Sequence, residues 1–261
     1  MSSVKFTMEL YHQHYGEGRP MIILHGLFGM SDNWVSLARR FAEHYSVHVI
    51  DLRNHGRSGW HDVFNYEAMV DDLMEFMDTH QMNSAILLGH SMGGKTAMQF
   101  ALDYPQNTEK LIVADISADE YNHKHDTFID AMLSIDLEKF TKRSEVSNEL
   151  KETIDNQRIR QFLMKNLHWK DRSKLGWKAN LEVIHENLPE IFRAIDSPVP
   201  YDKPSLFIRG GESLYIRQKH IPRIKKLFTH AKIETIEGTS HWLHAEKPDE
   251  FYDLVMQFLQ S

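Results

Sequence analysis

The sequence has 261 residues, of which 41% are hydrophobic and 11% aromatic, a composition that suits one large α/β domain or a core with an inserted subdomain. Its formal net charge of −7 argues against nucleic acid as a partner, because binding to phosphates needs a clustered basic excess. The chain has no cysteine, which excludes disulfides, thiol catalysis and cysteine-ligated metals.

The N-terminal stretch lacks the apolar core of a signal peptide, and no apolar run approaches the length of a membrane span. We therefore expect a cytoplasmic protein that has no membrane span. Residues 4–15 alternate roughly in hydrophobicity before residues 16–18 (Gly-Glu-Gly) break the pattern, which predicts an N-terminal antiparallel hairpin or pair of strands. The apolar run at 21–24 predicts the first buried strand.

A first helix should follow the loop at residues 25–29 (HGLFG), with Ser31 or Asp32 as its cap. Its apolar residues recur on one face, and they are Trp34, Leu37, Ala38 and Phe41. Strand and helix signals then alternate, with strands predicted over 47–50, 85–88 and 111–114, and helices over 66–80 and 96–102. This alternation predicts an α/β fold with a mostly parallel central sheet flanked by helices.

The rhythm of the chain changes between about residue 118 and residue 200. Strand signals stop, and charged amphipathic stretches that resemble helices cover 128–140, 148–167 and 181–195. We interpret 118–200 as a helical cap inserted between two parts of the core, 1–117 and 201–261. In the second part, a strand over 205–209, a helix over 217–228, a strand over 232–236 and a helix over 249–259 are predicted, the last beginning near Pro248.

Several polar segments directly follow predicted strands. They are the loops at 25–29 and 51–59, Ser91 and Asp115. Sheets of this kind bind ligands beyond the carboxyl ends of their strands. We therefore expect these segments to share one edge of the domain.

The pattern Gly-x-Ser-x-Gly at residues 89–93 lies between a buried strand and a helix, the setting that a nucleophile elbow requires. Gly89 and Gly93 leave out side chains that would collide in such a tight turn, and the turn exposes the Ser91 hydroxyl. The alternative is a glycine-rich turn with an idle serine. The strand before the motif and the helix after it favour Ser91 as a nucleophile.

A serine nucleophile needs a base within hydrogen-bond reach and a third group that orients the base. His241 is the predicted base because it follows the last strand, and the order nucleophile, acid, histidine is typical of this arrangement. It lies in a Gly-x-x-His-Trp-x-x-x-Glu-Lys-Pro pattern over 238–248. The alternative is a surface-loop histidine, one of 17 in the chain.

The acid is less evident from the sequence. Its usual place, a few residues beyond Gly210, holds Ser213. Asp115 follows the preceding core strand directly and would face the same edge of the sheet, so we favour it over Glu212. A capping role for Asp115 is the alternative.

An oxyanion hole needs two backbone N–H groups. Met92, directly after the nucleophile, supplies one, and Leu27 supplies the other, with Phe28 as an alternative. The loop at 25–29 lacks the full G-x-G-x-x-G pattern of a dinucleotide site.

The histidine pairs of the chain do not predict a metal site. His12 and His14 are the first such pair, and neither they nor the later pairs form an H-E-x-x-H helix or have an obvious completing carboxylate. His25 and His90, which flank the proposed site, are expected to hold loops by hydrogen bonds. We expect neither a metal nor a cofactor.

Together, the motifs at 25–29, 51–58, 89–94 and 238–242 resemble those of the α/β-hydrolase superfamily, in the order of that family and over nearly the whole chain. Asn54, Asp115 and the segments at 210–215 and 241–248 resemble the bacterial YbfF-type esterases, which are related to the mitochondrial ABHD11-type hydrolases. The resemblance implies a carboxylic ester hydrolase that uses Ser91, Asp115 and His241 as its triad. It also favours Asp115 as the acid.

We therefore expect a serine esterase that acts on a small-molecule ester or thioester through an acyl-enzyme. One rival is a carbon–carbon bond hydrolase, because that group shares the GHSMGG type of elbow. The other is a receptor that keeps the fold and binds a small molecule with little turnover. A ketonic substrate panel and a burst experiment with an activated ester would discriminate among the three.

Overall fold

The computed structural model describes residues 7–121, 126–172 and 174–261. Its strands are β1 (His12–Tyr15), β2 (Pro20–Leu24), β3 (Ser46–Ile50), β4 (Ala85–His90), β5 (Thr108–Ala114), β6 (Leu167–Trp169), β7 (Leu175–Trp177), β8 (Ser205–Gly210) and β9 (Ala231–Ile236). The main sheet has the strand order β1-β3-β2-β4-β5-β8-β9, and all its pairs are parallel except β1 with β3. The predicted fold class, a mostly parallel sheet flanked by helices, is confirmed.

The helices are α1 (Val35–Phe41), α2 (Tyr66–Thr79), α3 (Met92–Asp103), α4 (Asp126–Leu133), α5 (Arg143–Lys151), α6 (Gln157–Leu163), α7 (Leu181–Glu186), α8 (Leu188–Phe192), α9 (Ile221–Leu227), α10 (Leu243–Glu246) and α11 (Pro248–Gln260). Among the described residues, no helix has both the length and the apolar character needed to cross a bilayer.

Alternate residues of each central strand are buried on opposite faces of the sheet. In β2, Met21 and Ile23 pack in a cluster with apolar residues of α1 and α11. Ile22 and Leu24 belong to the second cluster, which includes residues of α2 and α3. Because both faces are covered, the central strands are almost wholly apolar, and polar side chains accumulate where the strands end.

The prediction of an N-terminal hairpin is wrong for the residues that the structure describes. β1 is antiparallel to β3, with His12 opposite Ile50, and β2 pairs with the other side of β3. Residues 21–24 of β2 are buried, and this strand pairs with two parallel neighbours, β3 and β4, so β1 occupies the outer edge of the sheet. Residues 4–6 of the predicted segment lie outside the described part of the chain.

The predicted cap of the first helix is also wrong. Ser31 and Asp32 lie in a 3-10 turn before α1, and the N-cap residue of α1 is Trp34, which makes no side-chain capping bond. The carboxylate of Asp32 is instead paired with Arg57, at 2.9 Å between Oδ1 and Nη1. A distant partner in the 51–59 loop therefore replaces the local backbone interaction that the sequence suggested.

We call residues 118–200 the cap segment and propose that it forms a unit added to the core. Its described parts hold α4 to α8 and an antiparallel hairpin of β6 and β7, which the sequence did not predict. The predicted helix over 148–167 is wrong as one element, because α5 ends at Lys151 and Asn156 caps the start of α6. The buried apolar residues of this segment join the same cluster as α2 and α3.

Four histidines meet at the outer edge of the sheet. The ring of His48 in β3 stacks on that of His14 at 4.4 Å and lies 5.4 Å from that of His12, whose ring is 4.7 Å from that of His80. Burial and these neighbours lower the pKa of His48 to about 3. No group of three or more histidines or carboxylates in the described ranges could hold a metal ion. Packing of the rings therefore accounts for the cluster.

This cluster predicts a loss of stability in acid. The unfolded chain protonates His48 near pH 6.5, whereas the folded protein resists protonation down to about pH 3. The free energy of unfolding should thus be unaffected above pH 6.5 and fall as the pH drops below it, by on the order of 1 kcal/mol at pH 5. His48→Phe keeps a ring and removes the proton site. Nδ1 of His48 has no hydrogen-bond partner among the described residues, so the substitution loses only the 3.3 Å contact between Nε2 and the Ser46 hydroxyl.

Urea unfolding at about pH 7.5 and about pH 5 measures the effect. The His48→Phe protein should lose less stability between the two pH values than the wild type does. His230→Gln, at an exposed position, is the control for removing one imidazole. Equal losses in wild type and His48→Phe would contradict the prediction.

Candidate active site

The turn between β4 and α3 presents Ser91. Its backbone has φ 53° and ψ −120°, a conformation that non-glycine residues rarely adopt. A side chain at Gly89 would overlap the carbonyl oxygen of Gly93, and one at Gly93 would overlap the carbonyl oxygens of Leu24 and His25. The glycines therefore permit the tight turn that the sequence predicted. Ser91 is partly exposed and lines the pocket described below.

The structure brings Asp115 and His241 into direct contact. Asp115 directly follows β5 and is fully buried, whereas 14% of the His241 side chain is exposed in the loop after β9. Nδ1 of His241 lies 2.7 Å from Oδ2 of Asp115. A carboxylate only accepts hydrogen bonds, so Nδ1 carries the proton and the Nε2 lone pair of His241 remains free to accept another.

Two further donors hold the Asp115 carboxylate. The Gly210 amide donates to Oδ1 at 3.0 Å, and the Ser213 hydroxyl donates to Oδ2. Ser213 occupies the position where this fold usually has the acid. Instead of supplying the carboxylate, this position supplies a hydroxyl that donates to the carboxylate of Asp115. Glu212 is exposed. Ser213 was not predicted as a site residue, although its position in the usual acid slot was the signal that could have identified it.

Aromatic rings enclose the His241 imidazole. The Tyr215 ring stacks on it with centroids 4.0 Å apart, and the His90 ring lies 4.6 Å away. Nε2 of His90 donates to the His241 carbonyl at 2.8 Å. Burial holds the pKa of His90 well below its ordinary value, so this ring is neutral and acts as a support. The prediction that His90 holds a loop agrees with this bond, whereas Tyr215 was not predicted.

Two buried histidines fix the loop at 25–29. Nδ1 of His25 donates to the Gly26 carbonyl and its Nε2 accepts from the Leu52 amide, at 2.8 and 2.9 Å. His55 donates from Nδ1 to the Arg53 carbonyl, and its Nε2 accepts the Phe28 amide at 3.2 Å. Burial is the main cause that lowers the pKa of His25 to about 4 and that of His55 to about 3. Each ring therefore keeps the lone pair that its acceptor role needs.

The Phe28 amide is consequently occupied, and the residue is held in a left-handed conformation with φ 61°. Its carbonyl accepts from Nδ2 of Asn166 in the cap segment, at 2.8 Å. By contrast, the Leu27 and Met92 amides donate to no group in the described part of the chain, and both residues line the pocket of Ser91. This difference favours Leu27 over Phe28 as a donor to a bound oxygen.

The motif at residues 51–58 has a structural role. The Asp51 carboxylate accepts from the Ser31 amide at 2.5 Å and the Arg57 amide at 2.8 Å, which ties two loops together. Asn54 exchanges hydrogen bonds with the backbone of His61, and its carbonyl accepts from the Asn180 amide of the cap segment at 2.9 Å.

One pocket contains both Ser91 and His241. Apolar side chains make up most of its wall, from the core and from the cap segment, and they include Leu27, Ile116, Ile159, Phe162, Leu163 and Ile191. The pocket thus has the enclosed apolar character of a small-molecule site, with polar groups at the Ser91 end.

Comparison with known proteins identifies the family of this chain. The sequence profile of the alpha/beta hydrolase fold matches residues 19–248. This chain belongs to the α/β-hydrolase fold family. The sn-1-specific diacylglycerol lipase ABHD11 of Xenopus tropicalis is 37% identical to it over 254 residues, covering 94% of this chain and 79% of that protein. The esterase YbfF of Escherichia coli (strain K12) is 31% identical over 250 residues, covering 95% and 96% of the two chains.

A solved structure of a marine microorganism esterase is 42% identical, with a TM-score of 0.95, and the match covers 97% of this chain and all of that one. The predicted resemblance to YbfF-type and ABHD11-type proteins is therefore confirmed. So is the predicted enzyme class, a carboxylic ester hydrolase.

The bond from Asn166 to Phe28 predicts a role for the cap segment in activity. Asn166→Ala leaves a buried carbonyl without its donor, which should lower the free energy of unfolding by about 1–3 kcal/mol. Because the loop carries the Leu27 amide, kcat/KM for an activated ester should fall as well. Asn180→Ala is a matched control, since it also removes a bond from the cap segment to a core loop, at 3.2 Å to Asn54.

Asn180 does not line the pocket of Ser91. We expect Asn180→Ala to change stability with less effect on kcat/KM, as measured by ester hydrolysis and urea unfolding. Similar losses of kcat/KM in both variants would show that the bond to Phe28 has no special importance.

Proposed function

We propose that the protein is a serine esterase that hydrolyses small-molecule esters or thioesters through an acyl-enzyme on Ser91. His241 acts as the base, Asp115 orients it, and the Leu27 and Met92 amides bind the oxyanion. The observation that carries the proposal is the 2.7 Å bond between Asp115 and His241, whose ring lines the same pocket as Ser91.

In the first half-reaction, the Ser91 hydroxyl attacks the acyl carbonyl while Nε2 of His241 takes its proton. The negative charge that develops on the carbonyl oxygen is stabilised by the two backbone N–H groups. Met92 is the first residue of α3, where unpaired amides and the helix dipole favour negative charge. His241 then gives the proton to the leaving alcohol or thiol.

In the second half-reaction, water replaces the alcohol. His241 takes a proton from the water, and the resulting hydroxide attacks the acyl-enzyme carbonyl. Collapse of the intermediate releases the carboxylic acid and returns the proton to Ser91. Asp115 stabilises the imidazolium that forms in each half-reaction. Its three hydrogen bonds hold the carboxylate where the ring needs it.

We also propose that the cap segment forms much of the acyl pocket. Ile159, Phe162 and Leu163 of α6 and Ile191 of α8 supply apolar wall opposite the core residues. Such a wall would bind the acyl chain and exclude water from the reacting carbonyl.

The nucleophile is tested with Ser91→Ala. Loss of one partly exposed hydroxyl should leave the melting temperature nearly unchanged and lower kcat for a p-nitrophenyl ester by at least ~10⁴-fold. A fluorophosphonate probe should label the wild type at Ser91. Substantial hydrolysis by a folded Ser91→Ala protein, or labelling elsewhere, would exclude the assignment. Turnover of a ketonic carbon–carbon substrate in preference to esters would favour the other hydrolase class.

The acid is tested by comparing Asp115→Asn with Glu212→Gln. Asp115→Asn removes the charge and can favour the wrong tautomer of His241, so kcat should fall by ~10⁴. Glu212→Gln, at an exposed position, is the matched control and should have little effect.

Addition of Ser213→Asp to Asp115→Asn should restore part of kcat, because the Ser213 hydroxyl contacts the carboxylate oxygen that His241 also contacts. Circular dichroism checks folding of every variant. If Asp115→Asn hardly changed kcat while Glu212→Gln abolished activity, the assignment of the acid would be reversed.

A further inference from the structure

A buried lysine lies beside the proposed nucleophile. Lys95 is one helical turn beyond Ser91 in α3, and its amide donates to the Ser91 carbonyl at 3.0 Å. Only 1% of the residue is exposed, and it lines the same pocket as Ser91 and His241. The mechanism proposed above gives it no role.

The ammonium of Lys95 contacts the end of α8 in the cap segment. Nζ donates to the Phe192 carbonyl at 3.3 Å and to the Arg193 carbonyl. It also lies 5.1 Å from the Tyr121 ring centre and 6.0 Å from that of Tyr66. An ammonium has three N–H donors, and the two carbonyls are its only hydrogen-bond acceptors among the residues that the structure describes, which leaves one N–H for a further acceptor.

No carboxylate neutralises this ammonium within the described ranges, where it forms no ion pair with Asp or Glu. Asp119 and Glu120 act on it only at longer range. The two phenols cannot supply the charge, because burial raises the pKa of Tyr66 well above its ordinary value and also raises that of Tyr121. A buried cation without a counter-ion is costly, and a bound anion would offset that cost.

A structural role alone accounts poorly for this placement. Lys110 shows what such a role looks like elsewhere in the chain. Its Nζ donates to the Phe258 and Leu259 carbonyls, both at 3.0 Å, and lies 5.1 Å from the Phe258 ring centre. Lys110 is only partly buried and lines no part of the pocket. Lys95 makes the same kind of carbonyl contacts, but it is buried and lines the pocket that contains Ser91.

We propose that Lys95 selects acyl groups that end in a carboxylate, so that the substrates are half-esters or half-thioesters of short dicarboxylic acids. This inference rests on the proposed function of the Ser91 site. Ser91 and Lys95 are four residues apart, a rise of about 6 Å along α3, so their closeness favours a short acyl chain. Hydrolysis breaks the bond between the acyl carbon and the alcohol oxygen or thiol sulfur, and water supplies the atoms that yield the dicarboxylic acid and the free alcohol or thiol.

The preference should depend on pH. The pKa of Lys95 is lowered to about 7, mainly by burial; Arg193 and Arg223 also act to lower it, whereas Asp119 and Glu120 act to raise it. The cation fraction of the free enzyme therefore decreases as the pH rises through about 7. A preference for the carboxylate should decrease with it, whereas a preference that arises from shape alone would not.

The test compares two p-nitrophenyl esters with acyl chains of equal length, the adipate half-ester and the hexanoate. The quantity measured is the ratio of their kcat/KM values, in which a general loss of active enzyme cancels. Wild type should prefer the half-ester. Lys95→Met should lower the ratio by roughly 10- to 100-fold, the discrimination of one charge-assisted hydrogen bond.

Lys95→Arg keeps a cation and should keep part of the preference. The matched control is Lys110→Met. It removes similar contacts, to the Phe258 and Leu259 carbonyls outside the pocket, and should not change the ratio. Melting followed by circular dichroism checks folding. If Lys95→Met does not fold, the ratio of the two kcat/KM values is measured for wild type between about pH 6 and about pH 8. A ratio that decreases as the pH rises supports the proposal, and a constant ratio overturns it.

A wild-type ratio at or below one that is unchanged in Lys95→Met would also overturn it and leave Lys95 as a fastening between α3 and α8. If wild type hydrolyses neither ester, the esterase proposal fails by itself. Calorimetric titration with adipate then tests the proposed role of Lys95. Binding of adipate to wild type but not to Lys95→Met supports that role, and absence of binding to wild type overturns it.

Discussion

The buried carboxylate of Asp115 is the interaction on which the rest of the site depends. It accepts hydrogen bonds from the Gly210 amide, the Ser213 hydroxyl and the His241 ring, so one residue after β5 joins the ends of β8 and β9. A carboxylate in an apolar interior is costly unless it is paired and hydrogen-bonded. The three donors come from segments about 95 to 126 residues away, so the site forms only when the parallel strands pair in register.

The sheet register also explains which site residues could be predicted. Ser91 and His241 each lie in a local pattern, because the elbow needs glycines on both sides and the base follows the last strand. Asp115 has no such pattern, so its assignment needed the geometry of strand ends and a family resemblance. Ser213 and Tyr215 contact the site through long-range packing. The place of Ser213 in the usual acid slot is a signal in the sequence, whereas no local pattern indicates that the Tyr215 ring stacks on His241.

The errors at the sequence level have a common physical origin. The residues near the N-terminus alternate as a hairpin would, but burial of β2 between two parallel neighbours sends β1 to the far side of β3. Asp32 has the chemistry of a helix cap, but Arg57 offers its carboxylate a charged partner. In both cases a long-range interaction overrides a local preference of smaller energy, which single-sequence patterns cannot represent.

The cap segment contacts the surroundings of the proposed site at two separate points. Asn166 holds the Phe28 carbonyl, and because His55 holds the amide of the same residue, Phe28 is fixed from both sides and the neighbouring Leu27 amide stays free. At the other point, carbonyls at the end of α8 hold the ammonium of Lys95, one turn beyond Ser91. Any shift of the cap segment would therefore displace both the loop that carries the Leu27 amide and the ammonium of Lys95. Under the roles proposed for these two groups, this would couple recognition of the acyl chain to the chemistry at its carbonyl.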